Sequence, residues 1–122
     1  VLSPELPRSL WRHDTPVMTG VERHGCRKYY VAPDHRVTSA TIRRPSGHAL
    51  TLRWSAQAPY LGVWIDNRAY SREPVVALEP STGYFDSLAT AVRNGTSVTL
   101  IPGEPVTWWV ALEVSVPGDA GA

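Results

Sequence analysis

The sequence predicts an all-β fold, an antiparallel β-sandwich, and three observations predict it. Short apolar segments recur along the chain with a period of two, turn-forming residues separate them, and helical spacing occurs only once. A chain of 122 residues is long enough for a single core. We therefore assign residues 1–122 to one β-sandwich domain.

The first third of the chain is predicted to be an irregular arm followed by three strands. Residues 1–19 contain three prolines and no sustained period, which indicates an arm laid over other structure. Strands are predicted at residues 29–31, 37–43 and 48–54. The last two form a hairpin around Pro45-Ser46-Gly47, because proline fixes φ and glycine accepts a positive φ.

Two further strands follow in the middle of the chain. Residues 60–66 alternate, so that one face carries Leu61, Val63 and Ile65 and the other carries Tyr60, Gly62, Trp64 and Asp66. Residues 74–79 are apolar almost throughout, which is typical of a strand covered on both faces.

The last third is predicted to hold one short helix and a hairpin. Helical spacing joins Phe85, Leu88, Ala89 and Val92, and Asn94-Gly95 supplies a C-terminal stop. Residues 96–101 and 106–116 flank Pro102-Gly103-Glu104-Pro105, which predicts a second hairpin. The alternation in 106–116 predicts one buried face that includes Trp108, while Trp109 points to a ligand, another sheet or a partner. Residues 117–122 are predicted to be a flexible tail.

Charge and cysteine content exclude several classes of function. The net charge is +1, and residues 1–53 hold nine basic and four acidic side chains, but the arginines are dispersed and do not form a nucleic-acid-binding pattern. No apolar run is long enough to cross a bilayer. One cysteine excludes an internal disulfide, which favours a cytoplasmic location. The histidines and Cys26 lack the spacing of a metal site, so we expect neither a metal nor a cofactor.

Two motifs suggest a family. The predicted strand at 74–79 runs into Leu-Glu-Pro at residues 78–80, and Leu-Ile-Pro-Gly-Glu at residues 100–104 precedes the last strand. In their order and spacing these motifs resemble the galactose mutarotase-like (aldose 1-epimerase) family, and residues 37–52 and 60–65 resemble its preceding hairpin and strand. The resemblance covers the C-terminal half of that family's β-supersandwich. It implies that the chain acts as part of a longer chain or assembly, because the family's catalytic histidine lies in the other half.

The resemblance also implies an activity and a catalytic residue. Such enzymes are isomerases of carbohydrate metabolism that interconvert sugar anomers by acid/base ring opening and closure, without a cofactor. Glu79 matches the family's base. Pro80 confines Glu79 to extended backbone at the end of a strand, and the small Ala77 shares its face. The alternative is a structural glutamate paired with an arginine or a turn amide.

Four residues are candidates for substrate binding. Trp64 could stack on the C–H face of a pyranose, although core packing is an equal alternative. Asp66 and Asn67 could bind hydroxyl groups or could simply form a turn. Trp109 could face the same ligand.

Three functions stay open on the sequence. The first is an aldose 1-epimerase-like enzyme acting on a sugar or sugar phosphate, for which Arg43, Arg44 and Arg53 could hold the phosphate. The second is a non-catalytic carbohydrate-binding β-sandwich. The third is a structural half-domain. The expected partners are the sugar and a second chain or second copy that completes the sandwich; neither nucleic acid nor a membrane is expected.

Overall fold

The computed structural model describes residues 17–84 and 86–118. Phe85, most of the predicted arm (residues 1–16) and residues 119–122 of the predicted tail lie outside this part. The described chain is an all-β antiparallel sandwich with one short helix, as predicted. Its elements are β1 (Gly25–Tyr30), β2 (Ser39–Arg43), β3 (Ala49–Trp54), β4 (Tyr60–Asn67), β5 (Val75–Ser81), α1 (Leu88–Arg93) and β6 (Val110–Ser115).

The strands form two three-stranded sheets. The first sheet has the order β1-β4-β5 and the second has the order β2-β3-β6, with every neighbouring pair antiparallel. The predicted hairpin between β2 and β3 is confirmed. Gly47 has a φ of +86°, and its N–H donates to the carbonyl of Arg44 at 2.9 Å, so the turn uses the conformation that glycine tolerates best.

The core lies between the two sheets. The predicted alternation of β4 is confirmed, because Leu61, Val63 and Ile65 are buried together with Leu52 and Trp54 of β3. Strand β5 differs from the prediction. It is an edge strand without a fully buried residue, so the expectation that both its faces are covered is wrong. Only one face of its apolar run, with Val76 and Leu78, packs against the core.

The C-terminal region departs most from the sequence prediction. Residues 96–109 form no strand, so the predicted second hairpin is wrong. The turn itself forms, since Gly103 has a φ of +83° and the N–H of Glu104 donates to the carbonyl of Ile101 at 3.0 Å. The final strand pairs with β3 instead of the segment before the turn.

The apolar face of β6 is exposed. Val110 and Leu112 pair with Trp54 and Leu52 of β3, whose side chains belong to the core. Leu112 is nevertheless 67% exposed, and Val114, which pairs with Leu50, is 71% exposed. Trp108 is 51% exposed, so its assignment to the core is wrong. The first sheet covers this face at β3, and no described element covers it at β6.

The short helix is confirmed. The side chain of Ser87 caps α1 by accepting from the N–H of Thr90 at 3.3 Å, and Gly95 follows the helix with a φ of +66°. Across residues 17–84 and 86–118, no helix has the length and apolar content that crossing a bilayer requires.

Candidate functional site

The outer face of the first sheet, opposite the core, collects polar and aromatic side chains from three strands. In the sheet register, Gly62 of β4 lies between Tyr30 of β1 and Glu79 of β5, and Trp64 lies next to Lys28. Cross-strand partners point to the same side of a sheet. The residues that sequence analysis placed opposite Leu61 and Val63 therefore share this face with Glu79.

An ion cluster forms over the central strand. The ammonium of Lys28 lies 2.5 Å from Oε2 of Glu79 and donates to Oδ1 of Asp86 at 2.6 Å. It also lies 5.3 Å from the centre of the Tyr30 ring. The Lys28 side chain is only 20% exposed, whereas those of Glu79 and Asp86 are 39% and 54% exposed. We call Lys28, Tyr30, Glu79 and Asp86 the Lys28 cluster.

Gly62 allows the cluster to form. A Cβ at this position would lie 3.2 Å from Cε of Lys28 and 3.4 Å from Oε2 of Glu79. The central strand therefore leaves room for side chains of both edge strands to meet above it. In the structure the ion pair of Lys28 and Glu79 fills this space.

Three members of the cluster, Lys28, Tyr30 and Asp86, are not among the site residues that the sequence predicts. Lys28 was missed because β1 was predicted to begin at residue 29, four residues after its actual start at Gly25. Asp86 lies in the segment between β5 and α1, where no sequence pattern indicates which strand it approaches. The one available signal was the alternation of Lys28 and Tyr30, which places both on one face of an extended segment.

The pKa values of Lys28, Tyr30 and Asp86 shift in the directions that their contacts require. Burial alone would lower the pKa of Lys28, but hydrogen bonds to Asp86 and Glu79 raise it above its usual value. Burial raises the pKa of Tyr30, and its hydrogen bond to Asp86 raises it further. Burial alone would raise the pKa of Asp86, but hydrogen bonds from Lys28 and Tyr30 lower it. At neutral pH the lysine is charged, the phenol is neutral and Asp86 is a carboxylate.

Aromatic rings flank the cluster on both sides. The ring centre of Tyr84 lies 5.7 Å from that of Tyr30 and 5.5 Å from that of Tyr60. On the other side, half-buried Trp64 lies 6.0 Å from the exposed ring of Tyr70. Trp64 is thus neither a core residue nor fully exposed, and Lys28 is its register partner on β1.

Asp66 has a structural role in a turn. It is completely buried, and its carboxylate accepts from the N–H groups of Ala69 at 2.7 Å and Ser71 at 2.9 Å and from the Ser71 hydroxyl at 2.7 Å. Burial alone would raise its pKa, but these hydrogen bonds and one from the Tyr70 N–H lower it. The turn-forming alternative considered for Asp66 describes what the structure shows.

Asn67 and Trp109 also lie apart from the cluster. The amide of Asn67 donates to the carbonyl of Val21 at 2.9 Å, which ties the end of β4 to the preceding turn. Trp109 directly precedes β6 of the second sheet, and its carbonyl accepts from the N–H of Ser55 at 3.1 Å. Of the predicted site residues, the structure brings together Glu79 and Trp64 and places the other three elsewhere.

The arginines that the sequence offers for a phosphate lie away from the Lys28 cluster. The hairpin arginines, Arg43, Arg44 and Arg53, belong to the second sheet or its hairpin turn, and Arg53 lies 3.8 Å from Glu113 of β6. In the part of the chain that the structure describes, no three histidine, cysteine, aspartate or glutamate side chains are grouped so as to hold a metal ion.

Comparison with protein-family models, with curated proteins and with solved structures finds no match. The function is therefore inferred from the chemical groups on the outer face of the first sheet. An ammonium, two carboxylates and a phenol supply hydrogen-bond donors and acceptors at fixed positions, and Trp64 supplies an apolar surface beside them. This combination suits a ligand that is rich in hydroxyl groups and has an apolar face.

Proposed function

We propose that the outer face of the first sheet binds a carbohydrate. The observation that carries the proposal is the position of the Lys28 ammonium, which two carboxylates hold at 2.5 and 2.6 Å beside the half-buried ring of Trp64. The indole would pack against the C–H face of a pyranose. Lys28 and Glu79 would bind its hydroxyl groups.

The charge of the cluster favours a free sugar over a sugar phosphate. Its two carboxylates outnumber its single ammonium, so a phosphate group would meet net negative charge. The arginines that could hold a phosphate belong to the other sheet. We therefore propose a neutral aldose as the ligand.

Binding can be measured by calorimetric titration of the full chain with glucose and galactose. Trp64→Ala should weaken binding by about tenfold or more, because it removes the apolar platform. Trp109→Ala is the control, since Trp109 is 54% exposed and directly precedes β6 of the second sheet, away from the Lys28 cluster. Equal affinities for the wild type and both variants would rule out the platform role of Trp64.

The second candidate function is an aldose 1-epimerase-like reaction in which Glu79 is the base. It is supported by the position of Glu79, whose Oε2 is fixed by Lys28 while 39% of the side chain stays exposed. Mutarotation requires a base for the anomeric hydroxyl and an acid for the ring oxygen. The raised pKa values of Lys28 and Tyr30 make both poor acids at neutral pH. The acid would then come from a longer chain or an assembly that contains this one.

The reaction is tested by following α/β interconversion of the sugar by polarimetry. In the active assembly, Glu79→Gln should abolish the enzymatic rate. Glu73→Gln should leave it unchanged, because the Glu73 side chain is 78% exposed and pairs with Arg68, away from the Lys28 cluster. Sugar binding without interconversion by the intact protein would favour the non-catalytic carbohydrate-binding function. An unchanged rate in Glu79→Gln would remove Glu79 from the mechanism.

The free thiol of Cys26 is exposed. An exposed thiol stays reduced most readily where glutathione and thioredoxin act, so we propose a cytoplasmic location.

A further inference from the structure

A second surface, unrelated to the Lys28 cluster, lies along β6 and its flanks. Residues 106–116 hold seven large apolar side chains that are 38–71% exposed: Val106, Trp108, Trp109, Val110, Leu112, Val114 and Val116. We call these residues the β6 surface. With ordinary side-chain areas they expose on the order of 700 Å² in total, which is more than the largest apolar patch of a typical monomer exposes.

The backbone of β6 is open along one edge. β6 pairs with β3, and no strand in residues 17–84 or 86–118 pairs with its other edge. The N–H of Ser55 donates to the carbonyl of Trp109. Because hydrogen bonding alternates along an antiparallel strand, the N–H and C=O groups that point away from β3 are those of Val110, Leu112 and Val114.

This edge lacks the usual features that prevent pairing with another strand. Protective edges carry lysine, proline or a bulge. In β6 the single charged side chain is Glu113, which lies 3.8 Å from Arg53 of its own sheet. The strand is therefore apolar, regular and close to neutral, and a partner strand of the same kind would match it.

We propose that β6 pairs antiparallel with β6 of a second copy of the chain, around a two-fold axis at Leu112. In this register Leu112 faces its own counterpart, Val110 faces Val114, and Ala111 faces Glu113. Apolar side chains thus meet apolar side chains, and the two Glu113 carboxylates do not face each other. The interface is closed by its symmetry, and it joins the two second sheets into one six-stranded sheet.

Charge and the spacing of the apolar residues favour a second copy over a charged partner. A basic partner would find one carboxylate, already opposed by Arg53, and an acidic partner would find no free cation on the strand. The apolar residues, in contrast, repeat at a spacing that is complementary to itself. This pairing is independent of sugar binding, because the Lys28 cluster is on the other sheet.

Analytical ultracentrifugation of the full chain over a wide concentration range tests the pairing. The wild type should form a reversible dimer, and Leu112→Lys should weaken dimerisation by at least about tenfold. Val92→Lys is the control, since Val92 is 61% exposed on α1. Far-UV circular dichroism should show that both variants stay folded. A monomeric wild type, or equal dimerisation by all three proteins, would overturn the proposal.

Disulfide trapping tests the register. In a Cys26→Ser background, Leu112→Cys should give an oxidised dimer at least tenfold faster than Ala111→Cys, because Leu112 faces its own counterpart. The Cα atoms of the two Ala111 residues would lie about 8 Å apart, beyond disulfide reach. Equal rates, or faster trapping at Ala111, would overturn the two-fold register even if a dimer exists.

Discussion

Replacing Lys28 by methionine should destabilise the protein by a measurable but moderate amount. Methionine keeps most of the aliphatic length that lies over Gly62, and it removes the ammonium that Glu79 and Asp86 share and that lies over the Tyr30 ring. Both carboxylates are at least one-third exposed, so solvent screens each ion pair strongly. Allowing roughly 0.5–1 kcal/mol for each pair, Lys28→Met should lower the free energy of unfolding by about 1–2 kcal/mol.

The matched control is Arg53→Met. Arg53 also bridges to a glutamate of a neighbouring strand, but its separation from Glu113 is 3.8 Å and both side chains are at least 60% exposed. That pair should contribute less than about 0.5 kcal/mol. Urea unfolding at neutral pH, followed by circular dichroism, measures both variants. Equal midpoints for Lys28→Met and Arg53→Met would refute the idea that the cluster stabilises the first sheet.

The acid dependence of Lys28→Met supplies a second check. The folded pKa of Asp86 lies below its usual value of 3.8, so its contribution to stability is present above that value and is lost as the pH falls through the folded pKa. The raised pKa of Lys28 keeps its ammonium charged through this range, so the lysine itself does not titrate there. Lys28→Met should therefore lose less stability on acidification than the wild type does. An equal loss of stability at low pH in Lys28→Met and in the wild type would show that Lys28 and Asp86 are not coupled.

Two further predictions concern the turn and the core. Asp66→Asn should lower the urea midpoint clearly and Asp34→Asn should not, because Asp66 is buried and accepts from N–H groups of the 69–71 turn whereas Asp34 is largely exposed. Since hydrogen bonds lower the pKa of Asp66, the difference between the two midpoints should shrink as the pH falls through the folded pKa of Asp66. Equal midpoints at neutral pH would contradict this prediction. Ile65→Ala should cost about 3 kcal/mol in urea unfolding and Val92→Ala less than about 0.5 kcal/mol, because Ile65 is fully buried and Val92 is 61% exposed on α1, away from the β6 surface. A similar cost for both would contradict the placement of Ile65 in the core.

Local patterns in the sequence predict the regular parts of the fold. The alternation in β4 reports which side chains face the core, because a half-buried strand must expose every second residue. The turn at Gly47 is equally local, since few residues other than glycine tolerate its positive φ. The helix stop at Gly95 follows from the same short-range chemistry.

Long-range placement explains the wrong predictions. The alternation in β6 was interpreted as a buried face, but alternation states only that the two faces differ and does not supply a covering layer. Residues 96–101 have strand-like composition, yet β6 pairs with β3, which lies more than fifty residues earlier in the chain. No local signal specifies that choice.

The sequence predicts only part of the candidate site, again because no local signal specifies long-range placement. Glu79 and Trp64 lie on strands whose faces can be derived from the sequence, and the structure places both on the outer face. Lys28 and Asp86 come from β1 and from the segment before α1, so their meeting with Glu79 depends on the order of strands in the sheet. Asp66 is the opposite case, a residue that the sequence offers for the site and that the structure places in a turn. Its buried carboxylate accepts hydrogen bonds from that turn.

Binding of an aldose at the Lys28 cluster is most directly tested by mapping the ligand on ¹⁵N-labelled protein by NMR. Titration with glucose or galactose should shift the indole N–H signal of Trp64 and the backbone amides of Gly62 and Glu79, because these groups line the outer face. The indole signal of Trp109 should stay in place. Shifts confined to the second sheet, or no shifts at saturating sugar, would contradict carbohydrate binding at this site.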